Sequence, residues 1–156
     1  MTAERAEASG GLRVLIVEDE PLVTMLLEGM MEDLGHKVLG PFLRIEPALE
    51  YIRANHQTID VAILDVNLGG IRSFDAADLL LELGVPFVFA SGYDEAGIDE
   101  RWRMWPNIGK LFYEEELKAT LNNVVAQDRR SFARARSPDA DGHRDLATKI
   151  FVPKQA

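Results

Sequence analysis

Cysteine is missing from all 156 residues, which excludes disulfides, thiolate zinc sites and cysteine nucleophiles and suits a reducing compartment. Long apolar runs are missing as well. None approaches the roughly 18 residues needed to span a bilayer. The opening stretch, residues 1–11, is small and charged with no apolar centre, so it reads as a flexible leader and not a secretory signal. A cytoplasmic location without membrane attachment is expected. Basic charge is scarce, with 17 Lys and Arg against 26 Asp and Glu, a net charge of −9. The scarcity is uneven. Residues 128–156 carry seven basic and four acidic side chains, whereas residues 1–127 carry ten and twenty-two. An acidic body is poorly suited to nucleic acid, whose phosphates need basic partners. Magnesium or basic protein surfaces suit it better. His36, His56 and His143 lie far apart without ligand spacing, so a histidine metal site is not expected.

What is present is a hydrophobic fraction of 47%, enough for a core, in a chain of one-domain length. Its centre is Val61-Ala62-Ile63-Leu64-Asp65-Val66-Asn67-Leu68-Gly69-Gly70. Four apolar residues running into a carboxylate predict a strand buried on both faces, with Asp65 at its carboxyl end. In open α/β sheets that edge is where ligands bind.

The rest of the chain repeats this pattern. Leu12 to Val17 is an apolar strand ending in Glu18-Asp19-Glu20, and Pro21 opens a helix whose apolar residues are Leu22, Val23, Met25, Leu26, Met30 and Leu34, closed by Gly35. The methionines Met25, Met30 and Met31 are expected to be packing residues. His36 to Leu39 predicts a short strand ended by Gly40-Pro41. Ala48, Leu49 and Ile52 mark a second helix. A Gly69-Gly70 loop leads to a third helix with Phe74, Ala77, Leu80 and Leu81, stopped by Gly84. Phe87 to Ala90 is another buried strand, ending in Ser91-Gly92-Tyr93. A short polar helical turn is expected over 94–103, with Trp102 and Trp105 assigned mainly to the core. Asn107 to Gly109 is a last strand before Lys110, and Glu114 to Ala126 a final helix with acids in its first turn, favourable to the helix dipole. Five βα units predict a parallel sheet covered on both faces. The helical period fades from Gln127, so residues 127–156 read as a basic tail, a candidate docking peptide that folds back on the acidic body.

Parallel strands bring Glu18, Asp19, Asp65, Ser91 and Lys110 to one edge. Crowded carboxylates repel, and a divalent cation relieves them; magnesium prefers an oxygen shell. A carboxylate can also serve as a nucleophile toward phosphorus. A magnesium ion, an ammonium and a hydroxyl would then neutralise the transferring group. Asp65, Asp19, Lys110 and Ser91 fit those roles.

The motifs Val-Leu-Ile-Val-Glu-Asp-Glu-Pro at 14–21, Leu-Asp-Val-Asn-Leu-Gly-Gly at 64–70 and Lys110 before a terminal helix make residues 12–126 resemble a response-regulator receiver domain. Pro86-Phe87-Val88-Phe89-Ala90-Ser91-Gly92-Tyr93 resembles the FAT-GUY group, with serine in place of the usual threonine. The resemblance implies a flavodoxin-like, doubly wound (βα)5 sheet of strand order 2-1-3-4-5. It implies that Asp65 accepts phosphate from a histidine kinase or phosphotransfer protein. Magnesium would be held by Asp19 and Asp65, by Glu18 through water, and by the backbone carbonyl of Asn67. Ser91 and Lys110 would contact the phosphoryl oxygens, and the surface around the last strand would switch.

Two positions depart from the pattern. Leu111 follows Lys110 where receivers usually have proline, and a cis bond there would cost ~2.5–4 kcal/mol, so a trans bond is expected. Asn107 stands where many receivers carry an aromatic switch and has no ring to play that part; Tyr93 is the expected substitute. The function expected is that of a stand-alone phosphoacceptor with a downstream protein partner, homodimerisation being compatible, and with no catalysis beyond slow self-dephosphorylation. One alternative is a degenerate receiver that binds proteins without phosphate. Another is a magnesium-dependent phosphohydrolase, disfavoured because Asn67 stands two residues after Asp65 where such enzymes carry a second aspartate.

Overall fold

Side chains alternate along the central strands so that each strand feeds two cores. In the computed structural model, which describes residues 11–92, 100–110 and 113–135, the strands β1 (Arg13–Val17), β2 (Lys37–Phe42), β3 (Val61–Asp65), β6 (Phe87–Ser91) and β7 (Asn107–Gly109) form one parallel sheet. Two further strands, β4 (Asn67–Leu68) and β5 (Ile71–Arg72), pair antiparallel beside it. The sheet order is β2-β1-β3-β6-β7. With the small hairpin set aside this is the expected 2-1-3-4-5 order, and the fold is the flavodoxin-like one.

On one face, Leu15, Val17, Ala62, Leu64, Phe87 and Phe89 pack with residues of α2 (Ile45–Asn55) and α3 (Phe74–Leu83), including Ile52 and Leu80. On the other, Val14, Ile16, Ile63, Val88 and Ile108 pack with α1 (Pro21–Leu34) through Leu27 and Met31, and with α4 (Glu114–Ala135) through Leu117, Leu121 and Val124. Every residue of β3 is buried, as an unbroken apolar run requires. Each fully buried aliphatic or aromatic side chain contributes about 1.5–3 kcal/mol, so the double cover fixes the strand ends firmly. Among the described residues no helix is long and apolar enough to cross a membrane.

Both α1 and α3 stop as expected. At α1 the Gly35 amide donates to the Glu32 carbonyl and the His36 amide to that of Met31; at α3 the Gly84 and Val85 amides donate to Leu81 and Leu80. These are paired C-terminal capping bonds.

Four details differ from expectation. β2 does not end at Leu39 but runs through Gly40-Pro41 to Phe42, with its register against β1 shifting between Leu15 and Val17. It is an edge strand, where a proline that cannot donate is tolerated. The Gly69-Gly70 loop is the turn of a hairpin, and both glycines have positive φ, 61° and 96°, which a two-residue turn of this hand needs. α1 buries Thr24, Leu27 and Met31, leaving Leu22, Met25 and Leu26 exposed, so Met25 is not a packing residue. Finally, α4 continues nine residues beyond Ala126, to Ala135. The arginines and alanines there lack an apolar period but are good helix formers, and extending an existing helix avoids a new nucleus. The turn expected over 94–103 is represented by a short 3₁₀ segment, Glu100–Trp102. The leader through Gly10, residues 93–99 with Tyr93, Leu111 and its preceding bond, and the tail from residue 136 lie outside the described residues.

Trp102 is core, as expected. It is 2% exposed and lies against the rings of Phe74, Phe87, Phe89 and Trp105. Trp102→Ala is expected to lower unfolding free energy by about 3–5 kcal/mol, the usual range for emptying a large aromatic site, read as a shift of the urea midpoint without a change in slope.

Candidate functional site

Four elements end together at the carboxyl edge of the sheet. β1 delivers Glu18 and Asp19, β3 delivers Asp65, the hairpin turn brings Asn67 and Gly69, and β7 delivers Lys110. Asp19, Glu20, Asp65, Asn67, Gly69, Gly92 and Lys110 line a cleft of about 420 Å³, with Glu18 buried behind it against Lys110. Glu18 and Asp65 are almost completely buried, at 1% and 2% exposure, and Asp19 is half-buried. One carboxylate oxygen from each of the three lies within 4.8 Å of the others.

Lys110 is the internal counter-charge. Its Nζ donates to Glu18 Oε2 at 3.1 Å and to Glu20 Oε1 at 3.0 Å, and stands 3.1 Å from Asp65 Oδ2. The last contact has ion-pair distance without hydrogen-bond alignment, so Asp65 Oδ2 has no hydrogen-bond partner, and neither does Glu18 Oε1. The backbone helps to place the groups. The Lys110 amide donates to the Ser91 carbonyl at 2.9 Å, the Glu20 amide to Glu18 Oε2 at 3.1 Å, and the Asn67 amide to Asp65 Oδ1 at 3.2 Å. Asn67 Oδ1 in turn accepts from the Gly70 amide at 2.7 Å and holds the hairpin turn.

Two buried carboxylate oxygens without hydrogen bonds, beside a third carboxylate on an open cleft, make a donor set that fits a hard divalent cation such as magnesium. The electrostatics agree. The Asp65 carboxyl is pushed up from 3.8 to about 8, first by burial and then by the Glu18 carboxylate, with Lys110 opposing. For Lys110, burial disfavours the charge, but its hydrogen bond to Glu20 and the carboxylates of Asp65 and Glu18 more than offset this, and its pKa is raised.

The structure brings Glu18, Asp19, Asp65, Asn67 and Lys110, the residues singled out in the sequence, together at one edge of the sheet. The Ser91 hydroxyl is not turned to Asp65. It donates to Asn107 Oδ1 at 3.0 Å. Two participants were missed. Glu20 holds Lys110, yet with its side chain 59% exposed nothing in its sequence position separates it from a solvent-facing acid. Asn107 was set aside for lacking a ring, although the strand register already carried a signal: Ser91 pairs with Gly109, which puts Asn107 on the same face, two residues away, with no side chain between.

A carboxyl whose folded pKa lies above its unfolded value contributes stability that is fully present below about pH 4 and lost as pH rises through about 8. In metal-free buffer, Asp65→Asn is therefore expected to be clearly more stable than the parent at pH 8.5 and close to it at pH 4.5, the gap opening as pH rises between the two. Urea unfolding at the two pH values measures this.

Comparison with known proteins agrees with the fold. A family profile described as the response regulator receiver domain matches residues 14–121. The phyllosphere-induced regulator PhyR of Methylorubrum extorquens is 37% identical over 115 residues, covering 72% of this chain and 43% of that protein. This chain thus spans less than half the length of that relative. The solution structure of SdrG from Sphingomonas melonis is 38% identical with a TM-score of 0.64, covering 71% of this chain and 96% of that one. A solution structure of the BeF3-activated conformation of SdrG, from Pseudomonas melonis, is 37% identical with a TM-score of 0.62, covering 72% and 96%. With its sheet order, its acidic cleft and a profile match over most of its length, this chain belongs to the response regulator receiver domain family, on the side of PhyR and SdrG.

Proposed function

We propose that the chain is a phosphoacceptor switch in which Asp65 takes a phosphoryl group from a histidine kinase or phosphotransfer protein. The observation that carries this reading is the site itself, where a buried carboxylate and two acidic neighbours offer oxygens within 4.8 Å of one another and an ammonium stands 3.1 Å from two of the three groups. Glu18, Asp19, Asp65 and the Asn67 backbone carbonyl would hold magnesium, with Glu18 acting through water. When bound, the ion supplies charge neutralisation at the phosphoryl oxygens. An Asp65 oxygen forms the new bond to phosphorus as the bond from phosphorus to the donor imidazole nitrogen breaks, and that nitrogen leaves with the electron pair. Lys110 turns from Glu18 and Glu20 toward one phosphoryl oxygen, and Ser91 donates to another. The raised pKa of Asp65 belongs to the metal-free state; a cation on Glu18 and Asp19 favours the ionised, nucleophilic form.

The modified site would then bias a protein-binding surface, giving a signalling switch whose only turnover is slow self-dephosphorylation. Similarity to a protein solved in a BeF3-activated conformation supports the same reading, since that fluoride is a phosphoryl analogue. The receiver unit is proposed to be residues 12–126, with α4 leading from it into the basic tail. Tyr93 is retained as a candidate cover for the phosphoryl group.

Incubation with acetyl phosphate and magnesium is expected to add one phosphate, seen as an 80 Da increase by intact mass (roughly the mass of one phosphoryl group). Asp65→Asn is expected to abolish it, and chelation of magnesium to slow it by at least tenfold, the effect of losing about 1.4 kcal/mol of stabilisation. Phosphate on another residue, or none on the parent protein, rules the reading out; in the second case a magnesium-insensitive tryptophan fluorescence would favour a phosphate-independent binding module.

A further inference from the structure

β1 ends at Val17, directly before Glu18, and its pairing with β2 starts in regular register, Arg13 opposite Lys37 and Leu15 opposite Leu39. The Lys37 amide donates to the Leu12 carbonyl, so Lys37, Leu39 and every second residue after them turn their amides to β1. Continued, that register would set Pro41 opposite Val17. A proline there has no N–H to donate, and the ladder would fail just short of the acidic residues. Instead Phe42 stands opposite Val17, and the Glu18 amide donates to the Phe42 carbonyl at 2.9 Å. Gly40 and Pro41 together span the space opposite Ile16, which is a β-bulge.

We propose that Phe42 is a positioning residue of the acidic site: seated by the bulge, its carbonyl fixes the start of the Glu18-Asp19-Glu20 loop and so sets where the Glu18 carboxylate stands toward a bound cation. This rests on the phosphoacceptor reading, with its magnesium site, and adds a residue outside the cleft that governs how tightly the site holds the ion.

Two features seat the Phe42 carbonyl. Gly40 has a φ of 99°, and a Cβ built on it would lie 2.8 Å from Phe42 Cδ2 and 2.9 Å from the Phe42 backbone nitrogen. Only glycine combines that backbone conformation with so close an approach. The Phe42 ring then packs on Tyr51 of α2, centroid to centroid at 5.0 Å, and on the core layer beneath. The carbonyl is thus held from the α2 side of the sheet. At the other end of the bond, Glu18 is 1% exposed; its Oε2 accepts from the Glu20 amide and from Lys110, while Oε1 has no hydrogen-bond partner. A carboxylate so enclosed cannot reach a cation by swinging through solvent. Its backbone therefore decides where Oε1 faces, and the Glu18 backbone is tied to Phe42.

The test uses the full chain labelled with 15N. Magnesium is titrated while the backbone amides of residues 67–69 report binding, and hydrogen exchange of the Glu18 amide is measured without metal. Phe42→Ala removes the ring that anchors the carbonyl. In it the Glu18 amide is expected to exchange faster and the magnesium midpoint to rise about tenfold, the lower end of what losing a ligand's supporting partner costs. Gly40→Ala, which the bulge cannot accommodate, should raise the midpoint at least as far. Val38→Ala truncates a side chain of the same strand that packs on the opposite core layer, away from the bulge, and controls for lost stability. Its magnesium midpoint should stay that of the parent. An unchanged midpoint in Phe42→Ala overturns the proposal, as does an equal rise in Val38→Ala. Absence of any shift at residues 67–69 in the parent removes the magnesium site and the phosphoacceptor reading with it, which the first two results leave standing.

Discussion

Like charge held out of water is the condition on which the rest of this molecule depends. Glu18 and Asp65 are as buried as the leucines beside them, and Asp19 stands close enough to share a cation with both. Loops bearing such groups would splay apart if they were free to. They are not, because the carboxylates hang from the ends of β1 and β3, and those strands are clamped between two apolar layers. The hydrophobic energy of the double-sided core thus holds together charges that would otherwise separate. Lys110 lowers the cost with one ammonium among three carboxylates, yet leaves two buried oxygens without a hydrogen bond.

A site built in this way is receptive by construction. Its internal cation is shared between Glu18, Glu20 and Asp65, so any incoming cation or phosphoryl group redistributes contacts that already exist instead of creating them from nothing. The hydroxyl of Ser91 is in a similar position, satisfied by a neutral partner that a charged one can displace. Rigid strands and rearrangeable side chains are complementary here. The backbone bonds of Glu20 to Glu18, Asn67 to Asp65 and Lys110 to Ser91 keep the frame fixed while the side-chain contacts are exchanged.

The apolar exterior of α1 follows from the same architecture. A helix covering one edge of a sheet needs only a stripe, and Thr24, Leu27 and Met31 supply it. Leu22, Met25 and Leu26 share the helical period but point away from the sheet, which periodicity alone does not distinguish from burial. The same limit applies to α4. Its buried positions Leu117, Leu121 and Val124 were readable as a stripe, whereas its last nine residues are helical with no stripe to announce them.

What could be read in the chain was whatever depends on local pattern and strand direction. Apolar runs bounded by Pro21, Gly35 and Gly84 defined the βα repeats, and parallel strands must all release their last residues at one edge, so Glu18, Asp19, Asp65 and Lys110 had to converge. Family motifs then supplied the order of the sheet and the roles to expect. Only the tertiary structure decided which atoms meet. It joined Lys110 to Glu20, 90 residues away, and Ser91 to Asn107, 16 residues away, and it bent Gly69-Gly70 into a hairpin over Asp19. The physical reason is the reach of the forces involved. Strand and helix formation answer to neighbours within a few residues, whereas the partner of a charged or polar side chain is fixed by where the packed core leaves the strand ends, a fact that no stretch of sequence contains by itself.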